Sequence, residues 1–546
     1  MPVSFPPLRR FVLTTLTVGC LFQAPAAMAQ EADCAEVLRK LELRQSVAER
    51  ELSGLQTRIR ELRQEIVAAA GSVEGGLTLP EPSETGAEAA LPSYAQEDPA
   101  IPADCEDEGE RLLTAAKEAE LRAARARAYR EVLDGVLDGP QVKTARYNAL
   151  VKKVAEETAR LRGLELKEPV TPKVLDADGL AGVLKMLLDE ELTDAAVRGT
   201  EVTWKGLGLI PEDADLRILY GGLLEGQVGG LYDDRRKTLY VVDVFDPTSF
   251  FGKVILCHEI THAIQDQHFP IADLPFRTEN DDQNLAMACV LEGDATMLMM
   301  EWGMENGSLA AIMKDIPALL KQNMDQLNET PPALVQMLLF PYLGGMEFYT
   351  EMGYIGPGAA RNRPFEQPPV STEQILHPEK YQANERPIAD YNFPAAESLA
   401  QKAERLGLEQ VYLNTLGEWI TRVWLVDPAN FPSLSLLNPN FMVKDPAATA
   451  AAAGWGNDRI VTFASDDGDR WLFEWTTVWD TEADSKEFFG AAAARLGLEE
   501  KGTYAKGESA VVFFSPNQTG HHVVVVTRAS DKKTFDDFLA ELRKSR

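Results

Sequence analysis

From Ala48 the apolar residues of this chain recur at alternating intervals of four and three, through Leu52, Leu55, Ile59, Leu62 and Ile66. That spacing is a coiled-coil seam. With Leu38 and Leu41 ahead of it, and Gln45 in the one polar slot, it predicts a helix over 35–70. A stretch rich in Pro, Gly, Ala and Glu follows over 71–104. It has no periodicity and no large apolar side chains, and it reads as a flexible linker. Helical spacing resumes over 106–137 and again over about 142–162. Residues 30–165 are therefore expected to form an elongated helical module, a spacer or a self-associating stalk, with no chemistry of its own.

Pro169 and Pro172 mark a boundary. Beyond them the pattern predicts a helix over 178–192 and two strands, 227–232 and 238–243, around the polar turn Asp233–Lys237. A helix follows from Lys253 to Phe269, uninterrupted by Gly or Pro, and then others over 282–304, 308–326 and 332–352. A Pro/Gly-rich loop covers 353–369. From 396 the character changes. Helical spacing over 396–407 and 409–422 gives way to strand-like runs at 460–464, 471–478, 509–514 and 521–527, with helices over 481–496 and 533–543. The expected fold class is α+β, with a mainly helical domain over 166–395 and a small α+β domain over 396–546.

The helix over 253–269 carries Cys257-His258-Glu259-Ile260-Thr261-His262. Histidines four apart on a helix place two imidazoles on one face, one turn apart. They can share one Zn²⁺ at about 2.0–2.1 Å each. Glu259 lies beside the first of them, within reach of a water on the metal. This is the H-E-x-x-H arrangement of a zinc hydrolase, and the chain holds only six histidines from which to assemble it by chance. A catalytic zinc takes a third protein ligand. His268 has the spacing of a metzincin ligand, but Gln265 stands where that motif needs Gly. If the helix simply continues, His268 is rotated about 240° from His262. Glu292, in Leu291-Glu292-Gly293-Asp294-Ala295 on the next long helix, is the better candidate and the gluzincin solution.

Gly229-Gly230-Leu231-Tyr232-Asp233, Leu239–Val242, His258–Phe269, Val290–Thr296 and Ser371–Tyr381 together resemble a group of bacterial gluzincin-like zinc metallopeptidases. The resemblance covers about 170–390, leaves out the coiled-coil stalk, and implies a zincin-like catalytic domain. In one respect the chain departs from well-studied gluzincins, which often carry an acid four residues beyond the ligand glutamate. Here that position is Thr296, with Asp294 on another face. The expected activity is peptide-bond hydrolysis on a peptide or protein substrate, with Zn²⁺ as cofactor and Glu259 as general base. His377 is the first candidate donor to the tetrahedral oxyanion and Tyr381 the second. The strand pair before the metal helix is placed to bind extended substrate by strand addition. His521 and His522 alternate across a strand and suit no metal clamp. The competing expectations are an inactive peptidase-like envelope protein that binds peptide, and a zinc amidase acting on cell-wall peptide. An intact Glu259 argues against the first.

The net charge of −31 argues against nucleic acid or an anionic membrane surface as a partner. Arg9 and Arg10, the apolar run Phe11–Phe22 and Ala27-Met28-Ala29 form an export signal, so the mature chain is expected to begin at Gln30 in the periplasm or outside the cell. Lipid attachment at Cys20 fits less well, because Thr17 stands where an aliphatic residue is wanted. No later run reaches the roughly 18 apolar residues of a transmembrane helix. Of the four remaining cysteines, Cys34 and Cys105 head two helical segments and can pair in an oxidising compartment, which would set those helices parallel. Cys257 and Cys289 are expected to be buried thiols and not ligands.

Overall fold

The computed structural model describes residues 34–70, 98–137, 139–225, 230–242, 249–307, 327–432, 441–518 and 520–544. The expected export signal over 1–29, Cys20, most of the linker and the helix expected over 308–326 lie outside these residues. The described residues divide into two compact units, 34–152 and 153–544.

In the first unit, α1 (Cys34–Ala70) and α2 (Glu106–Leu137) run parallel, joined at their heads by a Cys34–Cys105 disulfide. Arg44 pairs with Glu120 and Glu51 with Arg127, the same sequence offset at both levels, which fixes the parallel register. The seam residues Leu41, Ala48, Leu55, Leu62 and Ile66 are buried. Opposite the first part of the seam, α2 offers small residues, with Ala116, Ala119 and Ala123 fully buried. Farther along, Leu133 and Leu137 pack with Leu62 and Ile66. One position of the heptad pattern is thus covered within the chain, while Leu52 and Ile59 at the other stay half-buried. Helix α3 (Pro140–Arg162) begins in this unit and ends in the second.

The second unit is α+β. It opens with β1 (Pro172–Leu175), α4 (Ala177–Glu191), α5 (Asp194–Leu207) and α6 (Leu216–Glu225), and continues with β2 (Gly230–Asp233) and β3 (Thr238–Val242). The strands form a small sheet in the order β1-β3-β2, with β1 parallel and β2 antiparallel to β3. Pro172, expected only as a boundary, opens β1; a proline is tolerated at the first position of an edge strand. Then come the long helices α7 (Phe250–His268), α8 (Asp281–Asn306) and α9 (Pro332–Glu351), and the short α10 (Thr372–Leu376).

The C-terminal part is a seven-stranded antiparallel sheet in the order β4-β5-β6-β10-β9-β8-β7. Its members are β4 (Glu409–Asn414), β5 (Trp455–Ala464), β6 (Trp471–Trp479), β7 (Glu499–Glu500), β8 (Tyr504–Lys506), β9 (Ala510–Gln518) and β10 (His521–Ala529). The helix expected over 409–422 is instead β4 followed by a helix, α11 (Gly417–Leu425). Glu409–Asn414 finds a partner in β5, and Gly417, at φ +77°, turns the chain in a way a side-chain-bearing residue resists. Short apolar runs do not distinguish strand from helix by periodicity.

Alternate positions of this sheet serve two cores. Val461, Phe463 and Leu472 face the helices Ala396–Glu404 and Lys532–Arg543. Ile460, Phe473, Trp475 and Val524 join the large core that also holds Trp204, Met287, Leu291 and Phe340. Residues 166–395 and 396–546, read from the sequence as two domains, therefore share one interior. Trp424 Nε1 donates to the Leu207 carbonyl, and Tyr412 Oη donates to Asp281 at the head of α8. No helix among the described residues is long and apolar enough to cross a membrane.

Candidate metal centre

Helix α7 begins at Ser249, whose hydroxyl accepts from Gly252 N–H at 2.9 Å, and runs unbroken to His268. At 100° per residue, His258, His262 and Gln265 share one stripe, while Glu259, Ala263 and Asp266 share the next. The first stripe faces α8. The second faces the β2–β3 hairpin.

On the α8 side three ligand atoms converge. His258 Nε2 lies 3.1 Å and His262 Nε2 3.3 Å from Glu292 Oε2, and the two imidazole nitrogens are 3.2 Å apart. All three side chains are buried. Burial alone would raise the Glu292 carboxyl, but the two histidines beside it hold it well below the usual carboxylate range. Glu292 reaches this place because α9 crosses α8 at backbone distance: a Cβ on Gly293 would lie 2.4 Å from the Gly345 carbonyl carbon. One turn before that crossing, the Tyr342 ring stacks beside His258, centroids 6.0 Å apart.

The Glu259 carboxylate, on the adjacent stripe, meets the β2–β3 hairpin. Its Oε2 accepts from Tyr232 N–H at 2.8 Å, so an outward-facing backbone donor of the edge strand β2 is engaged by the side chain expected to be the base. Asp266, one stripe position on, ties the same hairpin down by accepting from Tyr232 Oη at 2.7 Å and from Lys237 Nζ at 2.5 Å. Beside it a cavity of about 480 Å³ is lined by Tyr232, Leu239, Ala263 and Pro270 among others.

Around His262 the polar contacts continue inward. Its Nδ1 lies 2.9 Å from Gln265 Oε1, and Gln265 Nε2 donates to the Leu291 carbonyl at 3.0 Å and to Asp294 Oδ2 at 2.8 Å. Asp294 receives Arg361 Nε at 2.6 Å and Arg162 Nε at 3.0 Å, and its carbonyl receives Arg361 Nη2 at 2.9 Å. Burial would raise its carboxyl, but the two guanidiniums hold it below the ordinary range.

The structure thus brings His258, His262 and Glu292 together, with Glu259 adjacent. His268 is turned off the stripe and its Nε2 lies 2.7 Å from the Glu165 carbonyl. His377 and Tyr381 have other partners. His377 Nε2 pairs with Glu418 Oε1 at 2.9 Å, which raises its pKa, and Tyr381 Oη donates to the Gln367 carbonyl at 2.9 Å. No contact joins either of them to the triad among the described residues, since α10, just before His377, docks at the head of α8 through Thr372 and Asp282. Ten residues separate Asp282 from Glu292, about 15 Å of helix. Cys257 is a buried thiol pushed up to about 12 by burial, and Cys289 is likewise buried and raised. Neither belongs to the metal-capable group His258, His262 and Glu292. Gln265, read from the sequence only as the residue in the place of a metzincin Gly, was missed as a partner of His262, although its position three residues on along the same face was a signal for it. Arg162, Arg361 and Tyr342 carried no such signal, because only tertiary packing brings them here.

A family described as a domain of unknown function (DUF8575) matches residues 404–538, which include every strand of the large sheet and no residue of the triad. No curated protein and no solved structure matches the chain.

Proposed function

We propose that the chain is an exported, gluzincin-like zinc metallopeptidase, with His258, His262 and Glu292 holding Zn²⁺ and Glu259 acting as general base. One observation carries this reading: three buried donor atoms from two helices form a triangle with edges of 3.1, 3.2 and 3.3 Å. Bonds of about 2.0–2.1 Å in tetrahedral geometry give edges of about 3.3–3.4 Å, so the triangle has the size of one face of a zinc site. Two imidazoles and a carboxylate are also the donor set of known catalytic zinc sites, which leave a fourth position open.

Such an ion supplies Lewis acidity, making a water acidic near neutral pH and polarising a carbonyl. Glu259, on the adjacent stripe, takes the proton from the attacking water and returns it to the leaving amine. Its bond to Tyr232 N–H fixes the carboxylate against the edge strand along which an extended peptide would lie. The cavity next along that stripe gives a substrate side chain room. The Cys34–Cys105 bond supports an oxidising compartment, as an exported chain would meet.

The test is metal analysis with turnover. The protein purified without added metal should carry one zinc per chain and cleave a mixed peptide library. Glu259→Ala should keep the zinc and lose about two to four orders of magnitude in turnover. Loss of zinc in that variant would make Glu259 a ligand, and a zinc-free, inactive wild type would remove the reading.

A further inference from the structure

We infer that Gln265 is a positioning residue that selects the tautomer of His262, and that Asp294 holds Gln265 to this task while clamped between Arg162 and Arg361. The inference rests on the metal-centre reading and adds to it the device that readies one ligand.

Gln265 is fully buried, and its amide has three polar neighbours. Two of them, the Leu291 carbonyl and the Asp294 carboxylate, can only accept. An amide nitrogen has two protons to give, and both are used there. A flipped amide would press its oxygen against two acceptor oxygens. The amide oxygen must therefore face His262, and because that oxygen can only accept, the proton of a neutral imidazole is required at Nδ1. This leaves the lone pair on Nε2, the atom that belongs to the triangle with His258 and Glu292. Without the constraint a neutral imidazole distributes between two tautomers, and one of them places a proton where the ion must bind.

The orientation is thus dictated from behind. Asp294 is completely buried and touches neither histidine; it receives the Nε–H of Arg162 and of Arg361. Arg361 is itself held by Glu301 at 2.9 Å, and Arg162 Nη1 donates to Asn362 Oδ1 at 2.9 Å. Each oxygen of the carboxylate already faces a guanidinium N–H that can only donate, so the geometry leaves Asp294 as an acceptor toward Gln265. Gluzincins often use an acid one turn beyond the ligand glutamate. Here Asp294, two residues beyond Glu292, works at one remove through an amide from the other helix. The residue that keeps His268 on a continuing helix, where a metzincin has Gly, is the one that orients His262.

The test measures metal affinity, not activity. Metal-free protein is titrated with Zn²⁺ against a chelator of known affinity, and with Co²⁺ followed by its visible absorption. Gln265→Met removes the acceptor at nearly constant volume and should weaken binding 10–100-fold with an altered Co²⁺ spectrum. Arg162→Lys keeps the charge without the fork and should weaken binding by a smaller factor, although Arg162 touches no ligand. Gln336→Met removes another buried amide, bonded to the Phe441 carbonyl and Val443 N–H, and should leave affinity and spectrum unchanged. Wild-type affinity in both Gln265→Met and Arg162→Lys would overturn the inference, as would equal losses in Gln265→Met and Gln336→Met. A wild type that binds neither ion would overturn the metal-centre reading beneath it, and so the two failures are distinguishable.

Discussion

Asp282, in the first turn of α8, should make the second unit less stable as pH rises, and Asp282→Asn should remove that dependence. The side chain is 1% exposed. Its Oδ1 accepts from Thr372 N–H at 2.9 Å and from Thr372 Oγ1 at 2.5 Å, while Oδ2 has no hydrogen-bond partner among the described residues. Burial, with help from the charges of Asp458 and Glu418, pushes the carboxyl up to about 7 against the pull of the Thr372 bonds. In the unfolded chain it titrates near 3.9. Between those values the folded protein holds a proton that the unfolded chain has released. Its stability contribution is therefore complete below about pH 4, falls through pH 5 and 6, and is lost above about pH 7. Three pKa units correspond to about 4 kcal/mol in all, of which about 2–3 kcal/mol falls between pH 5 and 8.

Asparagine imitates the protonated acid, with an oxygen for the Thr372 donors and no charge to bury. The assay is urea unfolding of both proteins from pH 5 to 9, read by tryptophan fluorescence and run in excess chelator so that metal binding does not enter. The advantage of Asp282→Asn over wild type should grow by about 2–3 kcal/mol between pH 5 and 8 and then level off. Glu373, raised to about 8, and Glu474, raised to about 7, shift stability in the same direction, but both proteins keep them and their effects cancel in the difference. A difference independent of pH, or a variant less stable than wild type at pH 8, would refute the reasoning.

Glu292→Gln should weaken zinc binding by at least tenfold in a chelator competition, because a neutral oxygen replaces an anionic one on a divalent cation. His268→Ala should leave affinity within a few-fold, and the opposite order would transfer the ligand role to His268. Cys34 and Cys105 should resist alkylation until reduced. Reducing a bond that closes 71 residues of sequence should destabilise the α1–α2 pair by about 4 kcal/mol, seen as a lowered midpoint of its helical transition.

How far the sequence could be read depended on how local each signal was. The α1 seam, the uninterrupted run of α7 and the i, i+4 histidines are local facts, and the structure keeps all three. Glu292 was reachable because the gluzincin pattern takes a glutamate from the following helix, and because a helix continuing through Gln265 turns its rival His268 away. The β4 segment was misread because Val411 and Leu413 sit in a run too short to reveal its period, and its identity as a strand comes from β5, more than forty residues on. His377 and Tyr381 were chosen from residue chemistry and a proline. The partners that occupy them, Glu418 and the Gln367 carbonyl, are matters of packing. Arg162 and Arg361 were silent for the same reason: an isolated arginine in a sequence reads as surface until a buried acid claims it.

The helices that carry the candidate metal centre do not stand apart from the segment that matches a family of unknown function. Glu292 has its position only if α8 does, and α8 is fixed at three places. At its head, Asn414 Oδ1 accepts from Asp281 N–H, Tyr412 Oη donates to Asp281, and Thr372 donates to Asp282. At its middle, Gly293 meets Gly345 of α9 at backbone distance. Just beyond, Asp294 is held by Arg162 and Arg361. At the head, the bonds from Asn414 and Tyr412 come from β4, inside the matched segment. The same sheet presents Ile460, Phe473, Trp475 and Val524 to the core that contains Met287 and Leu291 on α8. Removing it would take Asn414 and Tyr412 from Asp281 and expose the face of α8 that packs behind Glu292, and lost hydrogen bonds to a buried acid and lost apolar contact are each costly. The seven-stranded sheet contributes no residue of the triad, but it helps to decide where Glu292 stands. The matched segment therefore acts here as one wall of the core that holds the triad and not as an appended domain.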